Sequence, residues 1–138
     1  MGDVKKITSI TVLHTSVGDK VLHKHAIISE AGDVKRRNIT GSFTVTKAMI
    51  RAATAIAAME RYLADKVPQG DAAGAMKSFS IFRAAEGETV TITYDEIDTK
   101  TGATISRNNQ KTLVLVEGAA DNEIAAVNAL RDFLTERL

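Results

Sequence analysis

Two hydrophobic rhythms alternate along the chain. From Lys5 to Val45, and again from Met76 to Val116, apolar residues recur mostly at every second position, the spacing of a half-buried strand. Between them Lys47–Lys66, and after them Asp121–Leu134, carry apolar residues three and four apart, the spacing of one helix face. Lys5–Ser16 and Val21–Ser29 read as a hairpin through Gly18-Asp19, since Gly at the first central position suits a two-residue turn. That turn would set His14 opposite His23, Val12 opposite His25 and Ile10 opposite Ile27. Ala31-Gly32-Asp33 turns again into Val34–Val45, where Ile39, Gly41, Phe43 and Val45 share one face and Thr40, Thr44 and Thr46 the other.

Met76–Ala85 and Glu88–Asp98 form a second hairpin around Glu86-Gly87, expected to pair Phe79 with Tyr94, Ile81 with Ile92 and Arg83 with Val90. Thr89, Thr91 and Thr93 fall on its opposite face. Ala103–Val116 returns, with Glu96 expected opposite Arg107, and its end Leu113–Val116 (LVLV) reads as covered on both sides. Thr46 is the expected cap of the first helix and Asp121 of the second.

The helical stretches match each other. At an offset of 71, Ala53–Leu63 aligns with Ile124–Leu134, pairing Ile56 with Val127, Met59 with Leu130 and Leu63 with Leu134. At an offset of 70, Gly32 meets Gly102 and Arg37-Asn38 meets Arg107-Asn108. The fold expected is α+β: two tandem antiparallel meander-plus-helix units, βββα–βββα, related by a pseudo-twofold axis, with the helices packed on the sheets. The units run over 1–66 and 76–138 of a single compact domain, and 67–75 (VPQGDAAGA), with the one Pro, is the expected linker.

Composition narrows the function classes. With no Cys, disulfides, thiolate metal sites and Cys nucleophiles are excluded. Aromatic residues make up 4% of the chain and Trp is absent, which argues against a stacking platform for bases or sugars. No apolar run is long enough to span a membrane, and MGDVKKITSI has no secretory apolar region. Lys6 stands where a myristoylation signal wants Ser or Thr. The expected setting is the cytoplasm or an assembled particle, with no membrane partner. Charge is uneven: residues 1–70 hold 11 Lys and Arg against 6 Asp and Glu, a net of +5, and residues 71–138 hold 7 against 11, a net of −4. Such polarity favours head-to-tail association that salt weakens.

Candidate chemistry is sparse. His14, His23 and His25 would share one face of the first hairpin and could bind Zn, Ni or Cu, but apolar neighbours and the lack of an obvious carboxylate ligand favour ordinary strand residues. Asp95, Glu96 and Asp98 read as a solvated hairpin end, since neighbours on a strand point to opposite faces. Lys35, Arg36 and Arg37 could contact phosphates. Two sheet-plus-helix units resemble, in topology alone, the Whirly and Pur single-strand-binding folds, whose motifs do not match here residue by residue. No nucleotide-binding glycine motif or nucleophile elbow is present. The first helix carries seven alanines on all sides, and Ala48, Ala55 and Ala58 with Arg51 are its expected self-association surface. The expectation is therefore a non-enzymatic, cofactor-free, self-assembling structural protein, a subunit of a phage particle, filament or similar homo-oligomer; the alternative is a single-stranded nucleic-acid-binding protein acting through the basic first half.

Overall fold

The computed structural model describes residues 2–15, 18–84 and 87–138. Six strands, β1 (Val4–Thr15), β2 (Gly18–Ile28), β3 (Val34–Thr44), β4 (Ala72–Ala84), β5 (Gly87–Asp98) and β6 (Thr104–Val114), form one antiparallel sheet. Helix α1 (Ile50–Ala64) follows β3 and α2 (Asp121–Arg137) follows β6. The protein is thus α+β. Strand order is β3-β2-β1-β4-β5-β6, so the six strands do not run as a simple meander. Each trio is sequential, and β1 joins β4 edge to edge through Ile10↔Ile81 and Val12↔Phe79.

Both helices lie on one face of the sheet. Ile10, Val12, Val21, Phe79, Ile81, Val90 and Ile92 point to that face and are buried. Ala52, Ile56, Met59 and Leu63 of α1 and Val127, Leu130 and Leu134 of α2 meet them in one core. On α1 Ala53 is exposed and Ala55 buried, because Ala55 lies toward α2. The other sheet face is bare and hydroxyl-rich: Thr11 bonds Ser80 at 2.9 Å and Thr91 bonds Thr112 at 3.2 Å across neighbouring strands.

Both hairpin registers differ from expectation by an even number of residues. β1 pairs His14↔Asp19, Val12↔Val21 and Ile10↔His23, because Gly18 already begins β2 opposite Thr15. β4 pairs Phe79↔Ile92, Ile81↔Val90 and Arg83↔Glu88, and Tyr94 lies across from Met76 rather than Phe79. Glu96 faces Ser106, not Arg107. An even shift changes partners and keeps faces, which is why the buried set survives. Of the expected elements, Ser16, Ala85 and the Glu86 half of the second turn lie outside the described residues.

Neither expected cap forms. Thr46 instead closes a turn through its carbonyl, which accepts from Met49 N–H at 3.0 Å, and α1 starts uncapped by any side chain. Asp121 is the first residue of α2, and its carboxylate accepts the Gly118 N–H at 2.7 Å. Stretch 67–75 is pinned: Gly74 N–H donates to the Pro68 carbonyl at 2.8 Å, and β4 begins at Ala72. A Cβ on Gly74 would come within 2.6 Å of Val67 Cβ, so only glycine admits that fold-back. The LVLV end is covered on one side only; Leu115 is buried while Val114 and Val116 are exposed, because no layer covers the outer sheet face there.

Candidate functional site

The three imidazoles lie on the helix-covered face but do not form one group. His23 sits two residues before His25 on β2, and its ring crosses Gly41 of β3, where an added Cβ would meet His23 Cε1 at 2.6 Å. Its ring centroid is 6.2 Å from that of Phe43, which is itself 6.2 Å from Phe133 of α2. Arg137 caps this cluster, 4.5 Å from the Phe43 centroid. Burial lowers the His23 pKa, and the His25 and Arg137 charges lower it further, so the ring is held neutral. His25 is buried opposite Ile7. These two histidines read as packing residues.

His14 belongs elsewhere. It lies one residue before the end of β1, directly opposite Asp19 near the start of β2, and α1 places Glu60 above the pair. His14 Nδ1 lies 2.8 Å from Asp19 Oδ1 and 3.5 Å from Glu60 Oε1. One ligand atom from each residue lies within 4.8 Å of the others, and no other such trio of His or carboxylate groups occurs among the described residues. The three side chains are 28%, 30% and 31% exposed, so the group is open to small solutes. Glu60 Oε1 is shielded and has no hydrogen-bond partner. Burial pushes the Glu60 carboxyl up to about 7, the neighbouring Asp19 adds to the rise, and His14 opposes it. A groove of about 250 Å³ between Thr46, Lys47, Ala53 and Ala57 leads to Asp19 and Glu60.

The other hairpin holds a second trio in the same place. Arg83 ends the described part of β4's inner row, Glu88 faces it from β5, and Arg131 reaches over from α2. Arg83 Nε donates to Glu88 Oε1 at 2.8 Å, and Arg131 Nη1 donates to the same oxygen. Burial raises the Glu88 pKa, but the hydrogen bonds and charges of Arg131 and Arg83 outweigh it and hold the carboxyl below the ordinary range. Both arginines thus share one oxygen of Glu88, and its Oε2 is buried without a hydrogen-bond partner.

The remaining expected residues are dispersed. Lys35, Arg36 and Arg37 are exposed on the edge strand β3; Lys35 pairs with Asp3 at 3.1 Å, and no ion pair engages Arg36 or Arg37 among the described residues. Ala55, Ala58 and Arg51 line a shared groove between α1 and α2, whereas Ala48 sits in the turn before α1 and stands apart. Asp95 accepts the Asn108 N–H at 3.0 Å, and Asp98 closes the β5–β6 turn by accepting from the Lys100 and Thr101 N–H groups, so these two acids hold the hairpin end. Asp19 and Glu60 went unforeseen. The signal available was one acid, Glu60, beside the apolar stripe of an alanine-rich helix, one turn after Ile56.

In comparison with known proteins, no family model matches the chain, and neither a curated protein nor a solved structure is significantly similar to it. No helix among the described residues is long and apolar enough to cross a membrane.

Proposed function

We propose that this chain is a non-enzymatic structural subunit that associates with copies of itself, as in a phage particle or filament, and that it arose by duplication of one βββα unit. One observation carries the self-association. The outer side of the helix layer has an open apolar groove of about 420 Å³, walled by Ile50, Thr54, Ala58, Ala125 and Ala129. Ile50 is 70% exposed at its rim. An apolar wall left in water favours association, and a floor of alanines admits a helix closely. Arg51 at the groove already pairs with Glu136 of α2 within the chain, so the contact would be chiefly apolar.

The duplication is supported by paired irregularities. Extra residues bulge β1 at Thr8 and β4 at Lys77. Arg37-Asn38 of β3 and Arg107-Asn108 of β6 each stand against a single residue of the neighbouring strand. Asn38 and Asn108 have φ of 54° and 55°, and Gly18 and Gly87 have φ of 120° and 127°. An outward order from the β1–β4 junction is what a twofold through the sheet would generate.

Sedimentation or light scattering over protein concentration tests the reading. The expected mass is a multiple of 14.8 kDa, and Ile50→Lys should return it to 14.8 kDa without loss of helix signal. A wild-type chain that stays at 14.8 kDa at high concentration would overturn it. A salt series divides the driving forces: apolar association persists at high salt, while charge polarity is screened.

A second reading, single-stranded nucleic-acid binding, is favoured by Arg36 and Arg37, which no ion pair engages among the described residues, on an exposed edge beside the bare hydroxyl-rich face. It predicts retention on single-stranded DNA that falls steeply with salt and is weakened by Arg36→Ala and Arg37→Ala. Retention unchanged in the double variant would remove it.

A further inference from the structure

We infer that His14, Asp19 and Glu60 form a binding site for one divalent transition-metal ion, with Zn²⁺ the ion of choice. The donor set is one imidazole nitrogen and two carboxylate oxygens, a combination suited to Zn²⁺ and its neighbours rather than to Ca²⁺ or Mg²⁺, which prefer all-oxygen shells. Each donor comes from a different rigid element: β1, β2 and α1. Metal–ligand bonds of about 2.1 Å in a tetrahedron put ligand atoms ~3.4 Å apart. His14 Nδ1 and Glu60 Oε1 are already 3.5 Å apart. His14 Nδ1 and Asp19 Oδ1, at 2.8 Å, share a hydrogen bond that an ion would replace, opening them by about half an ångström. The groove beside Thr46, Ala53 and Ala57 leaves the fourth position open to water or an anion, with Lys47 at its wall.

The charge balance points the same way. In the Arg83–Glu88–Arg131 trio, one carboxylate meets two cations and is hydrogen-bonded by both. The His14–Asp19–Glu60 trio occupies the same position on the other hairpin with two carboxylates, and among the described residues no Lys or Arg nitrogen lies within 4.0 Å of either. Glu60 Oε1, shielded from solvent, is left there without a hydrogen-bond partner. A divalent ion would replace the His14–Asp19 hydrogen bond and give the shielded Glu60 Oε1 the partner it lacks. Because a ligating imidazole must be deprotonated, binding tightens as pH rises.

The test is calorimetric titration of ZnCl₂ into the chelator-stripped full chain, with native mass spectrometry for stoichiometry. One ion per chain is expected, bound more tightly at pH 8 than at pH 6. Glu60→Gln, Asp19→Asn and His14→Gln should each weaken it tenfold or more, while His23→Ala leaves it unchanged. Imidazole resonances followed by NMR should move for His14 on adding Zn²⁺ and stay for His25. Because Asp19→Asn also touches the hairpin, circular dichroism is recorded for every variant, and Glu60→Gln, on the helix surface, carries the decision if Asp19→Asn unfolds. Absence of binding at millimolar Zn²⁺, binding undiminished by Glu60→Gln and His14→Gln, or binding lost with His23→Ala would each overturn the assignment.

Discussion

Glu88 is the residue on which the second hairpin and α2 converge. It is 8% exposed and Arg131 is 13% exposed, so the pair is held where water screens poorly. Removing one partner of a buried pair leaves a desolvated charge, which costs about 3 kcal/mol. Arg131→Met should therefore lower stability by that order in a urea titration, although Arg83 still holds Glu88 and softens the loss. The pH dependence has a definite sign. A carboxyl whose folded pKa is depressed adds stability above its unfolded pKa and loses it as pH falls through the folded value. Glu88→Gln should thus be clearly less stable than wild type at pH 7, with the gap closing on acidification below the ordinary carboxylate range. A gap that stays constant with pH would mean that Glu88 acts through packing alone. His23 adds a second acid-sensitive contribution, since its lowered pKa means that protonating it in the fold is opposed by burial and by Arg137. Stability it contributes is present above pH 6.5 and is lost as pH falls through its lower folded value.

Elements were legible where a period repeats, and obscure where one residue decides. Threonine alternation in Thr89, Thr91 and Thr93 named the outer face, and the Ile56–Met59–Leu63 and Val127–Leu130–Leu134 stripes named the core of both helices. Register was not legible, because Gly18 and Gly87 mark the starts of β2 and β5 rather than the centres of the turns expected around them. Bulges at Thr8 and Arg37-Asn38 are single insertions that leave no periodic trace. The junction of β1 with β4 and the approach of Glu60 to His14 join residues far apart in sequence, and no local spacing encodes them. Capping was misjudged for a related reason: Asp121 is the right residue type one position late, bonding Gly118 N–H ahead of the helix and placing its charge in the first turn. Asp121→Ala should lose both effects and cost about 1 kcal/mol, read as a shift of the urea midpoint at unchanged slope. Gly41→Val should cost more, about 1–3 kcal/mol, since the side chain would occupy the space of the His23 ring and force it off Phe43.

An open sheet has two ends, and at the scale of the molecule they are where strand pairing with another chain has to be prevented. β3 and β6 are the end strands, each with an unpaired row of backbone groups, and Val34, Ile105 and Val114 are exposed along them. Flat edges of this kind template pairing with other chains. Here both are bent at an Arg-Asn bulge, and both are cationic: Lys35, Arg36 and Arg37 on β3, Arg107 and Lys111 on β6. Apposing β3 of one copy with β6 of another would bring like charges together, which disfavours edge-to-edge pairing. Asn108 makes the clearest test. Its φ of 55° lies in the left-handed region, which Asn and Gly enter readily and which costs a β-branched residue about 1–2 kcal/mol. Asn108→Val therefore either strains the bulge or flattens it, and flattening restores a straight edge. The expected result is a lower melting temperature together with faster growth of light scattering on heating. Asn108→Gly keeps the backbone but loses the Lys77 hydrogen bond at 2.9 Å, an exposed contact of small value, and should scatter like wild type. Arg107→Thr keeps the bulge and removes charge, so it should aggregate more only at low salt, where wild-type edges still repel. If Asn108→Val melts and scatters as wild type does, the bulge does not guard the edge, and the β6 cations alone must be what keeps it unpaired.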